Sequence, residues 1–204
     1  MSVVLRELAG DPDAARLIDV LAPGIHASGN PYFDWLFGDP DVALGVIKRC
    51  MARDSSEIAI RRVTVLERDG ELLGCFIAVD GAEMARCARS DSVTALAAVG
   101  RAGRTAFLRR AAAAASLRRP IDADQWFWSK MWVDPKHRGA GLGRLIAEQV
   151  AADGDRRGFP RGRVDARPED AHLIALYESV GYEQRGLTRT SDGIIGVIEM
   201  VREP

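Results

Sequence analysis

The spacing of apolar positions divides the chain into short β-patterned runs separated by helical ones. Val3 to Leu8 predicts a first strand, and Asp11-Pro12 opens a helical pattern through Leu17, Ile18 and Leu21 that Pro23-Gly24 should end. From Ala27 to Gly38 the chain passes Gly29, Asn30 and Pro31 and then Tyr32, Phe33, Trp35 and Phe37, so a loop should turn helical. Asp39-Pro40 reads as the cap and first residue of a helix to about Met51. Ile58 to Glu67 has the β-branched content of a strand, Asp69-Gly70 supplies a tight turn, and Leu72 to Val79 returns as the hairpin partner.

Beyond the hairpin the composition shifts to alanine and arginine. Residues 82–119 predict helix, with Ser90 as a cap, a period through Val93, Leu96, Val99, Phe107, Leu108 and Ala112, and Gly100 and Gly103 dividing it in two. Trp126 to Val133 is an aromatic strand, Ala140 to about Arg156 a helix, Arg163 to Ala166 a short strand and Glu169 to Val180 a helix. Two closing strands, about Tyr182 to Thr190 and Ile194 to Val201, flank a turn at Ser191-Asp192-Gly193.

Composition narrows what this layout can do. At 204 residues and 47% apolar content the chain can bury a substantial core, and residues 1–204 fit one domain better than two. A net charge of -1 offers no global attraction to nucleic acid or anionic lipid, so an anion site must be local. Cys50, Cys75 and Cys87 are odd in number and form no C-x-x-C pair, which argues against a disulfide framework or a zinc site and for a reducing cytoplasm. The N-terminal residues lack a signal-peptide pattern and no window is apolar enough to span a bilayer, so a soluble, unprocessed protein is expected, with neither membrane nor metal among its partners.

Such a local anion site lies between the aromatic strand and the helix that follows it, in the stretch from Met131 to Arg144 (MWVDPKHRGAGLGR). Glycines at 139, 141 and 143 let a ligand approach the backbone, and the following helix aims its first unpaired N–H groups and positive dipole end at an anion. A P-loop is excluded, because no lysine followed by Ser or Thr occurs. A dinucleotide fingerprint wants Gly or Ala where Arg144 stands; Asp165, at the end of the next strand, mimics its ribose-binding acid and keeps that reading open.

The order strand, Val133-Asp134-Pro135, Arg138-x-x-Gly141-x-Gly143, helix resembles motif A, [QR]-x-x-G-x-[GA], of the GNAT superfamily of N-acetyltransferases. Downstream, Leu176-Tyr177-Glu178 followed by Gly181-Tyr182 resembles the L-Y-E-x-x-G-[FY] signature of motif B in the same family, in family order and at family spacing. The resemblance covers most of residues 58–201. It implies an α/β fold with a mixed, mostly antiparallel sheet of about seven strands, helices on both faces and a helical insertion between the third and fourth strands. It also implies acetyl-CoA as co-substrate, with its pyrophosphate held by Arg138, Gly139, Ala140, Gly141, Leu142, Gly143 and Arg144. Met131, Trp132 and Val133 would then pair with the pantetheine arm as an added strand and polarise the thioester carbonyl. Tyr177 takes the catalytic place near the CoA sulfur, where a phenol of pKa about 10 can hydrogen-bond a departing thiolate of pKa near 8.5. The chain departs from motif B at Asp170 and Leu173, where the family has asparagine and alanine, so that amide's contacts do not transfer; Asp170 is expected to begin or cap the helix.

The resemblance implies transfer of acetyl to a primary amine of a small molecule or peptide, and the acceptor stays open. The general base is not identified by sequence: Asp34, His26, Glu71 and Asp80 are candidates, while His137 fits a phosphate contact or a loop surface and His172 a helix surface. Residues 82–119 hold Arg86, Arg89, Arg101, Arg104, Arg109, Arg110, Arg118 and Arg119 against Glu83 and Asp91; a solvated helical face is favoured over a lid or a site for an acidic partner. Nucleic-acid binding lacks the required basic charge and interleaved aromatics. Tyr32, Phe33, Trp35 and Phe37 fit an acceptor pocket as well as a core. A non-catalytic acyl-CoA-binding module, a nicotinamide-dependent oxidoreductase, and a homodimer through the last strands or inserted helices stand as alternatives.

Overall fold

The computed structural model describes residues 2–117 and 119–204. Seven strands form one sheet in the order β1-β2-β3-β4-β5-β7-β6: β1 Val4–Glu7, β2 Val63–Arg68, β3 Glu71–Asp80, β4 Gln125–Val133, β5 Arg161–Ala166, β6 Glu183–Arg189 and β7 Gly196–Arg202. Every neighbouring pair is antiparallel except β4 and β5. Five helices precede β4: α1 Ile18–Gly29, α2 Tyr32–Phe37, α3 Pro40–Met51, α4 Gly81–Ala98 and α5 Gly100–Ala113. Two follow it, α6 Leu142–Arg156 and α7 Ala171–Glu178. This is the mixed sheet, with a helical pair between the third and fourth strands, that the resemblance implies.

The two sheet faces bury separate cores. On one, Leu21 and Ile25 of α1, Ile47 and Met51 of α3 and Phe107 of α5 cover Val65, Ile77 and Phe127; on the other, Leu142, Ile146 and Val150 of α6 and Tyr177 of α7 cover Phe76, Trp126, Trp128 and Val164. The sequence expectation for α3 is met in detail, since the Asp39 carboxylate accepts from the amides of Asp41 and Val42 and Pro40 stands first in the helix. Asp69-Gly70 turns the β2–β3 hairpin with both residues at positive φ, the primed geometry that matches strand twist.

Other boundaries move, each for a local reason. Pro23-Gly24 does not end α1, which starts at Ile18 and runs through both residues to Gly29. Gly24 lies so close to the Trp132 ring that an added Cβ would stand 2.4 Å from Cδ2, and packing on β4 outweighs the loss of one helical bond at Pro23. Residues 58–62 are not strand: the Ser56 Oγ accepts from Ile58 N, the Ser56 carbonyl accepts from Arg62 Nε, and a 3-10 turn fills Ile60–Arg62. Ser90 is interior to α4, whose cap is Asp80 accepting from Glu83 N at 2.7 Å. Gly103 lies inside α5, and Gly100 alone, at φ +65, divides the two helices. Arg118 of the arginine-rich segment lies outside the described residues.

Cys50, Cys75 and Cys87 are free and buried, and burial pushes the thiols of Cys50 and Cys75 up to about 12. Among the described residues no helix is long and apolar enough to cross a membrane.

Candidate active site

After Val133 the chain turns sharply. Asp134 N donates to the Leu73 carbonyl at 2.9 Å and the Asp134 carboxylate accepts from Lys136 N, which closes a 3-10 turn over Pro135–His137. Gly139 and Gly141 then take φ +79 and +78, with nothing within 4 Å of where a Cβ would stand. α6 follows without any side-chain cap on its first amides. The first hydrogen bond of its ladder is donated by Leu145, to Gly141 O, and the amides of Gly139, Ala140 and Gly141 donate to none of the described residues. Six consecutive N–H groups, from Gly139 to Arg144, are therefore left for an anion at the positive end of a 15-residue helix. The donor chemistry fits a pyrophosphate, whose charged oxygens accept several such bonds together.

The side chains around this cradle are otherwise engaged. Arg138 donates Nε to the Val133 carbonyl at 3.3 Å, and its own amide leans on Pro135 O at 3.5 Å, so the cradle begins one residue later than the sequence suggests. Arg144 pairs with Glu148 at 2.9 Å on the exposed side of α6, a weak pair that a bound phosphate could replace. His137 pairs with the exposed Glu71 at 3.1 Å. Gly143 faces α7, where an added Cβ would meet Leu176 Cδ2 at 3.3 Å.

The strand feeding the cradle parts from its neighbour. β4 and β5 pair from Gln125↔Arg161 to Trp128↔Val164; beyond that Lys130 to Val133 pair only with β3, while Asp165 and Ala166 pair only with β7. Met131, Trp132 and Val133, all half-buried, thus line a V-shaped opening with one backbone edge unpaired among the described residues. Tyr177 stands at its apex, ring edge-on to Trp128 at 4.9 Å, the last β4 residue paired with β5. Burial raises the Tyr177 phenol well above its ordinary value. Leu176 and Tyr177, adjacent on α7, thereby reach the cradle helix and the apex together. Asp170 caps this helix by accepting from Leu173 N at 3.0 Å, as expected.

On the opposite face the opening leads into a cavity of about 1210 Å³. Ser129 and Lys130 of β4, Asp165 and Ala166 of β5, and Met84 and Ala88 of α4 are among its walls. Sequence reasoning missed Glu57, whose carboxylate lies there against the Ser129 hydroxyl and, at 3.2 Å, Lys130 Nζ. Only the fold brings residues 57 and 129 together, so no sequence signal could have found it. The other base candidates do not face this space: Asp34 is held by His26 at 2.7 Å and Asn30 at 2.8 Å, and Asp80 caps α4. His172 is exposed on α7, as expected, at the border of the cavity.

The aromatic segment divides. Tyr32 lines the cavity and Phe33 lies beneath Lys130 at 5.9 Å, whereas Phe37 stacks on Phe107 at 5.6 Å in the core. The arginine-rich helices form a wall as well as a solvated face, since Met84, Ala85, Ala88 and Arg89 border the cavity. Asp165 cannot serve a nucleotide ribose beside α6. It lies on the other sheet face from its neighbours Val164 and Ala166, paired with Arg163 at 3.1 Å, and its burial raises its carboxyl above the ordinary range. The nicotinamide reading therefore fails.

A family model described as Acetyltransferase (GNAT) family matches residues 25–182. Over 65 residues, 30% of the chain, the sequence is 35% identical to the ribosomal protein bS18-alanine N-acetyltransferase of Escherichia coli (strain K12) and, equally, to that of Shigella flexneri. The match spans 44% of those relatives' length. Among solved structures, an N-acetyltransferase from Staphylococcus aureus Mu50 aligns at TM-score 0.68 with 11% identity, covering 97% of this chain and 99% of that one. The ribosomal-protein-S18-alanine N-acetyltransferase from Escherichia coli aligns at 0.53 with 16% identity over 98% and 93%. The PaiA N-acetyltransferase from Thermoplasma acidophilum in complex with coenzyme A aligns at 0.56 with 11% identity over all of both chains. At these identities the structures speak to the fold, while the family model spans both the glycine cradle and the Tyr177 helix: the chain belongs to the GNAT acetyltransferase family.

Proposed function

We propose that this chain, as one acyltransferase domain, transfers acetyl from acetyl-CoA to a primary amine by direct attack on the thioester. The observation that carries the reading is the run of six amides from Gly139 to Arg144, with no acceptor among the described residues, beside the parted strands. Acetyl-CoA supplies the activated carbonyl. The ammonium first gives up a proton to water, and the neutral amine attacks. The C–N bond formed replaces the C–S bond, CoA leaves as its thiolate, and the second proton of the amine passes to water. The amides of Gly139, Ala140, Gly141, Leu142, Gly143 and Arg144 hold its pyrophosphate, with Arg138 shaping the entry to the cradle through its bond to Val133 O. The free edge of Met131, Trp132 and Val133 aligns the pantetheine amides and offers an N–H to the developing oxyanion.

Tyr177 holds its proton throughout. With its pKa raised by burial, the phenol acts as a hydrogen-bond donor to charge developing on sulfur and not as a full proton source. The acceptor enters from the Glu57 side, through the cavity of about 1210 Å³. That volume exceeds what a small amine needs and suits the end of a peptide, in keeping with the acceptor named for the Escherichia coli relative.

A screen of peptides and small amines that follows free CoA tests the reading. Acceptor-dependent release of CoA is expected. Tight acetyl-CoA binding without release on any acceptor would instead make the chain a binding module.

A further inference from the structure

A bulge in β4 builds a small receptor at the mouth of the acceptor cavity. Ile77 pairs with Lys130 and Ala78 with Trp128, so Ser129 is the extra residue between them. Two consecutive side chains consequently turn to the same face: Ser129 Oγ and Lys130 Nζ both contact Glu57 Oε1. The lysine ammonium donates to three oxygens, Glu57 Oε1 at 3.2 Å, Ser129 Oγ at 3.1 Å and Ser129 O at 3.1 Å. The Phe33 ring face lies 5.9 Å away, and the Asp165 carboxylate across the opening also feels this charge. The Lys130 and Glu57 side chains are 17% and 16% exposed.

Three acceptors and one aromatic face match the three N–H donors of a primary ammonium. A tertiary amine brings one donor and a quaternary ion none. The chain fills this receptor with its own lysine, at the place where the acetyltransferase reading brings the acceptor nitrogen. Two ammonium ions cannot share one carboxylate without strong repulsion. We propose that the oxygens of Glu57 and Ser129, with the Phe33 ring, form the recognition site for the acceptor's primary ammonium, and that Lys130 is a stand-in the acceptor must displace. The proposal rests on the acetyltransferase reading. It deepens that reading by assigning the acceptor class, an unhindered primary amine on a chain slender enough to follow the lysine stem, and by giving Lys130 a gating part.

Lys130→Ala removes Cγ to Nζ, the atoms of n-propylammonium. Thermal melting without any CoA is expected to show n-propylammonium raising the Tm of Lys130→Ala by roughly 2–4 °C while leaving wild type unmoved. Tetramethylammonium, which has no N–H, should act on neither, and adding Glu57→Gln to the variant should abolish the effect. Equal shifts in variant and wild type, or the same shift with tetramethylammonium, would overturn the proposal. If the variant is too unstable to purify, refolding yields with and without n-propylammonium give the same reading, and equal yields overturn it. Calorimetry with acetyl-CoA reports the donor half separately, so failure of the receptor and failure of the acetyltransferase reading are distinguishable.

Discussion

At the scale of single residues the proposed donor site depends on what Tyr177 and Gly141 can each do. Tyr177, nearly closed from solvent against Trp128, keeps its proton because burial disfavours the phenolate. Tyr177→Phe should lower turnover roughly 10²-fold with acetyl-CoA binding intact. Since the pKa is raised, the donor form persists as pH rises through the ordinary tyrosine range, so the wild-type rate should show no alkaline loss from this residue near pH about 10. A pH–rate profile with both proteins checks the two statements together; unchanged turnover in the variant would remove Tyr177 from the mechanism. Gly141 has open space around it but φ +78, so alanine there meets no neighbour and only backbone strain, about 1–2 kcal/mol. Gly141→Ala should stay folded and bind acetyl-CoA about tenfold more weakly by calorimetry.

At the scale of elements, helix ends are decided by neighbours that lie far away in sequence. Gly24→Ala would place a methyl group inside the Trp132 ring contact and should cost about 1–3 kcal/mol in chemical denaturation, against a helix-propensity gain of about 1 kcal/mol. Asp80→Ala should cost about 1 kcal/mol by removing the cap of α4, whereas Ser90→Ala removes no cap. The order of strands and helices was legible from apolar spacing, as were the Asp39 cap and the Asp69-Gly70 turn, because those signals are local. The start of β2 was not: Ile58 and Ala59 are buried beneath the α1–α3 layer, and burial without extended backbone leaves the same apolar signature as a strand. The glycine cradle was equally legible as one continuous stretch, and Tyr177 as part of a compact motif. Glu57, Ser129, Phe33 and Asp165 were not legible as a group, being assembled from four separate elements.

At the scale of the molecule, the sheet separates two spaces. α6 and α7 carry the glycine cradle and Tyr177 on one face, and α1, α2 and α4 border the large cavity on the other. Glu83 ties the second layer together: Arg86 at 2.5 Å and Arg62, just before β2, donate to its carboxylate and lower its pKa. Stability from this pairing is complete above the ordinary glutamate range and is lost as pH falls through the lowered value. Glu83→Gln should therefore melt below wild type near neutral pH, with the gap closing in acid. A gap that stays constant with pH would mean that packing and not charge carries the effect. The bulge in β4 leaves the two faces in step on either side of it. Before Ser129, Trp126 and Trp128 look toward α6 and Phe127 toward α1; after it, Met131 and Val133 look toward α6 and Trp132 toward α1. Deleting Ser129 would close the bulge with Lys130 alone between Trp128 and Met131, and Met131, Trp132 and Val133 would keep the faces they have. The extra residue thus costs the rest of the strand nothing and seats a hydroxyl and an ammonium side by side against Glu57, where a regular strand would present a single side chain.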